Sequence, residues 1–397
     1  MRIGVDIRHL GGGNPSGIGQ YTLAILRVLV QQHPEHDFVL ITSGSPYKAK
    51  LVVSHHLKNI LGRKNVVHIH HSILNKLLNL QIFLTGHPSF DRLFGKQPVD
   101  VIWCPNLNFL PKSRTPIVVT FHDLSFELLP DLYSGKRRLW HRMVQPKRIA
   151  KRACLIISPS KTTASDLFEL YGIDPMNIRI IPHGVDETFS EKPTPQDHGV
   201  RSRHDLPRHY LLHIGTDEPR KNRVRLVRAF EEAKRRSEFM RRLDVKLVLA
   251  GSSQIKRPAG LTPSPHRDVL SLGYLPDADR PALYRGATAL VFPSLYEGFG
   301  MPILEAFASG TPVITSQNSA MLEVGGTAVV FVDPENEEDL VRAILAVVED
   351  QTLQDHLKTQ GLNRVEKASW ETSAEATLKA LEEALPLHQV KGQPYKH

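Results

Sequence analysis

The sequence has few of the features that mark secreted, membrane-spanning or zinc-binding proteins. Its 397 residues include only two cysteines, Cys104 and Cys154, whose separation suggests neither a disulfide framework nor a zinc site. No apolar run approaches the roughly 18 residues that a membrane-spanning helix requires. An acid, Asp6, stands where a signal peptide would need its apolar stretch. We therefore expect a soluble, cytoplasmic protein whose N-terminus forms the first strand of a fold.

Acidic residues are missing between Asp37 and Asp91, although six basic residues lie there. These are Lys48, Lys50, Lys58, Arg63, Lys64 and Lys76. The first 200 residues carry 24 Lys and Arg against 15 Asp and Glu, whereas residues 201–397 carry 26 of each. The whole formal net charge of +9 therefore belongs to the N-terminal half. This asymmetry suggests an anionic partner for that half, and a solvated basic surface without a partner is an equal alternative.

Short β-rich runs alternate with longer amphipathic segments along the chain. The strand candidates begin at Met1–Ile7 and end at Val329–Val332, and helical segments such as Lys161–Tyr171 and Arg223–Arg236 lie between them. This alternation predicts an α/β fold with parallel sheets. The polar stretch Asp186–Pro207 is the best candidate linker. The sequence therefore predicts two α/β domains with a cleft between them.

Two loops of the N-terminal half suit ligand binding, because ligands of open α/β sheets lie beyond the carboxyl ends of the strands. In the glycine-rich run Gly11–Gly19, the glycines let the backbone approach a ligand closely, and the helix that follows favours an anion. Ser16 replaces the third glycine of G-x-G-x-x-G, which disfavours a nicotinamide cofactor, and a flexible turn is the alternative. His122 and Asp123 follow another strand, where a core histidine and a helix cap would give the same pattern.

Arg220 and Lys221 are the first candidate site of the C-terminal half. They lie in the run Gly215–Asn222, directly after the predicted strand Tyr210–Ile214. A guanidinium and an ammonium at the mouth of a helix can bind a diphosphate together with the helix dipole. A solvated basic turn is the alternative.

Glu297 and Glu305 bracket a glycine turn that precedes a predicted helix. Carboxylates accept hydrogen bonds from sugar or ribose hydroxyls. The turn offers backbone amides to phosphate oxygens, and its residues are Gly298, Phe299, Gly300 and Met301. A buried structural role for Glu305 is an alternative, but two carboxylates around one turn are a more specific signal than either alone.

The acids and histidines that could suggest a metal have simpler explanations. Asp277 and Asp279 form a D-x-D pattern, but they precede a proline-containing helix start, where capping explains them better. The histidines at 55, 56, 68, 70 and 71 have no carboxylate or cysteine partners in the sequence. We therefore expect no catalytic metal and no cofactor.

The region around Glu297 and Glu305, with seven residues between them and Gly-Phe-Gly inside, resembles the signature of retaining glycosyltransferases of family 4. The run Leu290–Pro334, the run Gly215–Asn222 and the run Ile181–Asp186 resemble that family too. The resemblance implies the GT-B fold, with two Rossmann-like domains facing each other across a cleft. It implies an acceptor-side domain over 1–190, a nucleotide-sugar domain over 205–365, and a C-terminal helix over 366–397 that crosses back to the first domain.

The same resemblance assigns roles to the candidate residues. Arg220 and Lys221 would hold the donor diphosphate, Glu297 would bind the donor sugar, and Glu305 would bind the ribose. The loop at Tyr274 and Leu275 would contact the base. The N-terminal domain would add Gly17 and His122, with His122 orienting the sugar. No cofactor is implied, because the nucleotide sugar is a substrate.

The motifs are most similar to those of bacterial polysaccharide mannosyltransferases. GDP-mannose is therefore the first expected donor and a UDP-hexose the second, with a glycan or lipid-linked acceptor. An epimerase or dehydrogenase would need an intact G-x-G-x-x-G and a Tyr-x-x-x-Lys, which the sequence lacks. A nucleic-acid-binding protein is the alternative from another class, but few aromatic residues accompany the basic ones between Pro46 and Leu84, and we expect no nucleic-acid partner.

The basic interval is followed by the apolar segment Ile73–Leu84. A basic surface beside exposed apolar residues is typical of proteins that rest on an anionic bilayer. We therefore predict peripheral association with the inner face of the membrane. A core helix of the first domain is the alternative for this segment.

Overall fold

The structure is a computed structural model that describes residues 1–12, 17–47, 57–95, 98–251 and 267–390. The chain divides into two compact units. The first unit comprises Met1–His183 together with the C-terminal segment from Trp370, and the second comprises Gly184–Ser369.

The first unit contains a seven-stranded parallel sheet with the order β3-β2-β1-β4-β5-β6-β7. Its strands are β1 (Arg2–Asp6), β2 (Asp37–Ser43), β3 (Val66–His71), β4 (Val101–Cys104), β5 (Ile117–Thr120), β6 (Leu155–Ser158) and β7 (Ile178–Ile180). Its first helices are α1 (Gly17–Gln32), α2 (Lys58–Leu61), α3 (Asn75–Thr85), α4 (Phe90–Leu93), α5 (Ser125–Leu128), α6 (Gly135–Val144), α7 (Pro146–Arg152) and α8 (Lys161–Tyr171). The central strands are buried throughout, as expected for a parallel sheet covered on both faces.

The second unit contains a six-stranded parallel sheet with the order β10-β9-β8-β11-β12-β13. Its strands are β8 (Tyr210–Ile214), β9 (Lys246–Ala250), β10 (Val269–Gly273), β11 (Ala289–Phe292), β12 (Val313–Ser316) and β13 (Val330–Val332). Its helices are α9 (Pro195–Arg203), α10 (Arg223–Arg236), α11 (Glu238–Arg242), α12 (Arg280–Gly286), α13 (Met301–Ala308), α14 (Ser319–Gly325), α15 (Glu337–Glu349) and α16 (Gln351–Val365). Alternate residues of β8 join different hydrophobic clusters, so helices cover both faces of this sheet.

The strand order reverses once in each sheet, between β1 and β4 in the first unit and between β8 and β11 in the second. The loops at the carboxyl ends of these strands diverge to opposite faces of the sheet. Such a switch point leaves a crevice in which ligands of open α/β sheets bind. Each unit therefore has one preferred place for a site.

The last helix, α17 (Trp370–Val390), packs against α1 and the strands of the first unit. Polar contacts accompany this packing. Glu375 accepts a 2.6 Å hydrogen bond from His33, Glu383 accepts one of 2.6 Å from Arg179, and Ser373 donates one of 2.6 Å to the Pro182 carbonyl. The C-terminal segment is therefore part of the first unit, although the second unit precedes it in sequence.

The interval Asp186–Pro207 differs from the predicted linker. Its centre forms α9, which begins with a capping box between Thr194 and Asp197. Arg285 of α12 donates two hydrogen bonds to Asp197, of 2.8 and 2.6 Å, and fixes the helix to the second unit. The sequence analysis did not predict this helix because its apolar content is low, and ionic contacts attach it to the second unit. The boundary between the units accordingly lies after His183 and not at residue 190.

The sequence analysis did not predict the two edge strands β3 and β10. In β3 the apolar residues alternate with histidines, and in β10 only short apolar runs flank a serine. None of the residues in these two strands is fully buried, so their hydrophobic pattern is weak. Among the described residues, no helix is both long and apolar enough to cross a membrane.

Candidate active site

Arg220, Lys221 and Glu297 meet at the switch point of the second unit. The two cations follow β8 in a short 3-10 turn, and Glu297 follows β11. Glu297 accepts a 2.9 Å hydrogen bond from the Arg220 guanidinium and a 2.6 Å bond from Lys221 Nζ. All three side chains are largely buried, so the charges are paired where water screens them little.

Backbone contacts fix the two loops relative to each other. Asn222 adopts the left-handed conformation with φ of 58°, and its side-chain amide donates to the carbonyls of Pro293 and Pro334 at 3.1 and 2.7 Å. The amide of Leu295 donates to the carbonyl of Arg220 at 2.8 Å. The positions of the cations and the carboxylate are therefore set by the backbone as well as by their attraction.

The electrostatics keep Glu297 ionised. Burial raises its pKa, but the positive charges of Arg220 and Lys221 outweigh burial and hold the pKa at about 2. Burial lowers the pKa of Lys221, and the contact with Glu297 opposes that shift. The Lys221 ammonium also lies 4.8 Å from the centre of the Phe292 ring. The site thus holds Glu297 between two cations, and Glu218 also accepts a 3.1 Å hydrogen bond from Arg220.

The glycine turn after Glu297 leads directly into α13. Gly300 has a φ of 105°, a conformation that a side chain would strain, and Met301 and Pro302 begin the helix. The hydroxyl of Ser319 accepts a 3.1 Å hydrogen bond from the Glu297 amide. Gly298 is buried, and the side chain of Phe299 joins the hydrophobic core, so only the backbone of Phe299 can serve a ligand.

Glu305 lies inside the protein with 2% of its surface exposed. The Arg280 guanidinium donates to both of its oxygens, and the Tyr284 hydroxyl donates to one of them at 2.6 Å. Burial opposes the charge of Arg280, but Glu305 and Tyr284 raise its pKa above its usual value. These contacts join α12 to α13, which is the structural role that the sequence analysis left open. A ribose would have to share this carboxylate with Arg280.

The loop predicted to contact a base contains one exposed and one buried side chain. Tyr274 is 49% exposed, whereas Leu275 packs in the hydrophobic core. Tyr274 is therefore the side chain of this pair that can stack on a base. Asp279 stands at the start of α12 but makes no capping bond, which corrects the capping explanation. Its carboxylate instead accepts hydrogen bonds of 2.8 to 2.9 Å from Arg203 and His204 of the second unit.

His122 lies at the carboxyl end of β5 in the first unit. Its Nε2 donates a 2.8 Å hydrogen bond to the Pro105 carbonyl, and burial lowers its pKa. The neutral imidazole therefore carries its proton on Nε2 and presents Nδ1 as an acceptor. The rings of Tyr21 and His183 surround it at 4.8 and 5.7 Å. Such a histidine can accept a hydrogen bond from a hydroxyl but is not a general acid at neutral pH.

Gly17 is the first residue of α1 and is exposed, with open space where a side chain would stand. Its role as a ligand contact therefore stays a prediction. The other residues of that loop, at positions 13–16, lie outside the described residues. So do His55 and His56.

The sequence analysis missed several residues that support the site. Arg280 and Tyr284 fix Glu305, and Asn222 fixes the cationic loop. No short sequence motif predicts these contacts, because they join positions that are far apart in the sequence. Two large rings, Tyr21 and Trp370, pack around His183 from opposite ends of the chain. Among the described residues, one group could hold a metal ion, namely His33, Glu35 and His36 on the first unit.

Comparison with known proteins identifies the family and the fold of the chain. A model described as Glycosyltransferase Family 4 matches residues 15–189, and one described as Glycosyl transferases group 1 matches residues 198–364. The O-antigen chain mannosyltransferase B of Escherichia coli is 30% identical over 70% of this chain and 72% of that protein. The serotype-specific mannosyltransferase WbdA of Escherichia coli is 27% identical over 67% of this chain, which spans only about 33% of WbdA.

Among solved structures, HepE of Anabaena in complex with UDP and glucose has a TM-score of 0.68 at 18% identity. The match covers 96% of this chain and 100% of that one. The two parallel α/β units and the motifs they carry define a glycosyltransferase with the GT-B fold. The chain belongs to the glycosyltransferases of family 4 and group 1, whose domain models match its first and second units, respectively. The predicted family and fold are thus confirmed.

Proposed function

We propose that the chain is a retaining hexosyltransferase that binds a nucleoside-diphosphate sugar in its second unit. The arrangement of Arg220 and Lys221 around ionised Glu297 is the observation that carries this proposal. A diphosphate binds to the two cations, and the carboxylate that holds them in place accepts hydrogen bonds from hydroxyls of the transferred sugar. One cluster thus binds both the sugar and the diphosphate, which are the two groups joined by the bond that breaks.

The proposed reaction needs no metal ion to neutralise the charge of the leaving group. Cleavage of the anomeric C–O bond leaves negative charge on the diphosphate and positive character on the sugar ring. Arg220, Lys221 and the N-terminus of α13 stabilise the diphosphate charge, because these groups are fixed before the reaction begins. The acceptor hydroxyl attacks from the same face, and a phosphate oxygen of the donor takes its proton. His122 orients a sugar hydroxyl through Nδ1.

GDP-mannose is the first candidate donor, because the relatives to which this chain is similar include mannosyltransferases. A UDP-hexose is the second, because the HepE structure of the same fold contains UDP and glucose. Exposed Tyr274 offers a stacking surface to either base. The acceptor is a glycan or a lipid-linked sugar.

We also propose that α3 brings the enzyme to an anionic membrane. Only Leu78 and Ile82 of this helix are buried. The alternative of a core helix therefore explains only these two residues and not the rest of the apolar surface of α3. The other large apolar residues here are exposed, and they are Ile73, Leu74, Leu77, Leu80, Phe83 and Leu84. Exposed Lys58, Arg63 and Lys64 lie on the same unit, where each basic residue near an anionic surface adds about 1 kcal/mol. Lys48 and Lys50 lie outside the described residues.

A thermal-shift screen of nucleotide sugars tests the donor proposal. GDP-mannose, UDP-glucose and the free nucleoside diphosphates should each be compared with inorganic phosphate at the same ionic strength. We expect one nucleotide sugar to raise the melting temperature in the wild type and not in Arg220→Ala/Lys221→Ala, and its hydrolysis or transfer to follow the same pattern. No stabilisation by any nucleotide sugar would contradict the proposal.

A further inference from the structure

The positive charge of the first unit is concentrated where the sequence analysis did not place it. Residues 135–152 contain eight Lys and Arg residues and no acid, against a formal net charge of +9 for the whole chain. This segment forms α6 and α7, which meet at Gln145 in the left-handed conformation. Consecutive short helices with a sharp bend hold these cations around a concave surface.

A groove of about 750 Å³ lies along this surface. Its lining includes six cations from α6 and α7, which are Arg138, Arg142, Lys147, Arg148, Lys151 and Arg152. Glu127 is the one carboxylate in the lining, and it accepts a 2.6 Å hydrogen bond from the Tyr171 hydroxyl. The groove therefore has a large excess of positive charge.

The partners of these cations leave much of that charge uncompensated. Arg152 donates to the carbonyls of Leu110 and Pro111, which hold its guanidinium in place. Arg138 lies 3.7 Å from Asp131, a side chain that is 96% exposed. Within the part of the chain that the structure describes, no carboxylate forms an ion pair with the other four cations.

Aromatic side chains complete the wall of the groove. Phe126 and His141 stack with their ring centres 4.0 Å apart and nearly parallel, at 7°. Next to His141, Trp140 and Leu139 are exposed. Trp140 also contacts the ring of Phe109. The groove wall thus contains two stacked rings, and the exposed Trp140 ring lies 4.9 Å from one of them and offers an apolar face to a sugar or a lipid chain.

The groove is connected to the candidate catalytic edge of the first unit. His122 and Asp123 follow β5, and Asp123 accepts hydrogen bonds of 3.0 and 2.5 Å from the amide and hydroxyl of Ser125, the first residue of α5. Ser125 in turn contacts the Tyr133 hydroxyl at 2.5 Å. The groove wall at Phe126 therefore begins four residues after His122, on a segment tied to the same sheet edge.

We propose that this groove binds the phosphate or diphosphate group of the acceptor. The proposal rests on the assigned transferase function, because the groove would hold the acceptor while the second unit holds the donor. Charge-assisted hydrogen bonds from several Arg and Lys residues suit a phosphate in an otherwise acid-poor groove. The phosphate is carried either by a soluble sugar or by a lipid, and the exposed rim at Trp140 favours the lipid.

Calorimetry with inorganic diphosphate on the full chain tests the proposal. The groove variant is Arg142→Ala/Arg148→Ala/Lys151→Ala, and the donor variant is Arg220→Ala/Lys221→Ala. The matched control is Arg92→Ala/Arg114→Ala/Lys379→Ala, which removes the same charge from exposed positions of the first unit outside the groove. We expect two binding events in the wild type and in the control. The groove variant should lose one, with affinity lower by roughly tenfold or more, and should keep nucleoside-diphosphate binding. The donor variant should lose only the other event.

Further ligands identify the source of the phosphate. Tighter binding of farnesyl diphosphate than of inorganic diphosphate, lost in the groove variant, would assign the groove to a lipid carrier. If a sugar phosphate binds as tightly as farnesyl diphosphate, the groove would be assigned to a soluble acceptor. Unchanged diphosphate binding in the groove variant would overturn the proposal even if the donor site behaves as expected. Stronger binding of a single-stranded oligonucleotide at equal phosphate concentration would overturn it in favour of a nucleic-acid surface.

Discussion

Glu297 is buried between two cations, and this changes what its removal should do. A loop carboxylate facing solvent would contribute little to folding. Here the loss of the negative charge leaves Arg220 and Lys221 in a poorly solvated place, and unpairing a buried ion pair typically costs about 3–5 kcal/mol. The same residue therefore supports both the fold of the switch point and the proposed chemistry.

Glu297→Gln should abolish transfer and lower the free energy of unfolding by about 3 kcal/mol at pH 7, since its pKa lies near 2 in the folded state and near 4.5 in the unfolded state. Because the folded-state pKa is the lower one, this stabilisation is present above pH 4.5 and is lost as the pH falls toward 2. The difference between wild type and variant, measured by urea unfolding, should therefore shrink over that interval.

Glu218→Gln is the matched control, because Glu218 contacts Arg220 from a more exposed position, with a distance of 3.1 Å. It should reduce transfer and stability much less. Near-normal turnover in Glu297→Gln, or a stability difference that does not depend on pH, would contradict the role given to this carboxylate.

At the scale of elements, hydrophobic periodicity predicted most strands and helices, and the helices Lys161–Tyr171 and Arg223–Arg236 have the predicted bounds. Helix α9 could not be predicted this way, because its one buried residue is Val200 and its other attachments are ionic. The motifs that contain Arg220, Lys221 and Glu297 could be predicted, because each directly follows a strand with a strong hydrophobic pattern. The ion pairs between these three residues could not be predicted, because they depend on which strands become neighbours in the sheet.

Asp197→Ala should lower the free energy of unfolding of the chain by about 1–2 kcal/mol, because it removes the Asp197 side of the capping box and the partner of Arg285. The Arg285 hydrogen bonds hold the pKa of Asp197 at about 2, so the effect should persist at neutral pH. His198→Ala, at an exposed position of the same helix, is the control. Equal denaturation midpoints for the two variants would show that α9 is not held by this contact.

At the scale of the whole molecule, composition predicted a basic N-terminal half but assigned its charge mainly to the interval before Asp91. The structure places eight cations on α6 and α7 instead, beside a groove. A window of 18 residues without an acid was visible in the sequence. Its significance was not, because the concave surface arises only when the two helices meet at Gln145.

The membrane proposal predicts salt-dependent binding to vesicles. The wild type should sediment with anionic vesicles at low salt and less at high salt, since the Debye length shortens from about 10 Å at 0.1 M to about 3 Å at 1 M. Leu77→Ser/Leu84→Ser should weaken binding by removing exposed apolar area, and Lys58→Glu/Arg63→Glu/Lys64→Glu by reversing charge. Equal sedimentation with neutral and anionic vesicles would indicate that α3 does not dock electrostatically.

Activity should survive an excess of chelator. The reason is that Arg220, Lys221 and the α13 N-terminus are already positioned to neutralise the leaving diphosphate. Turnover should be measured after dialysis against EDTA, with and without added magnesium or manganese. Loss of turnover that either metal restores would contradict the metal-independent chemistry.

The central claim is that Arg220 and Lys221 hold the donor diphosphate, and calorimetry with GDP and UDP tests it most directly. Arg220→Ala/Lys221→Ala should bind the preferred nucleoside diphosphate at least roughly a hundredfold more weakly, since each charge-assisted hydrogen bond contributes about 1.5–3 kcal/mol and 1.4 kcal/mol is tenfold. The control Arg228→Ala/Arg235→Ala removes the same charge from exposed positions on α10 and should bind normally. Equal affinities in the two double variants, with both still folded, would place the donor diphosphate elsewhere.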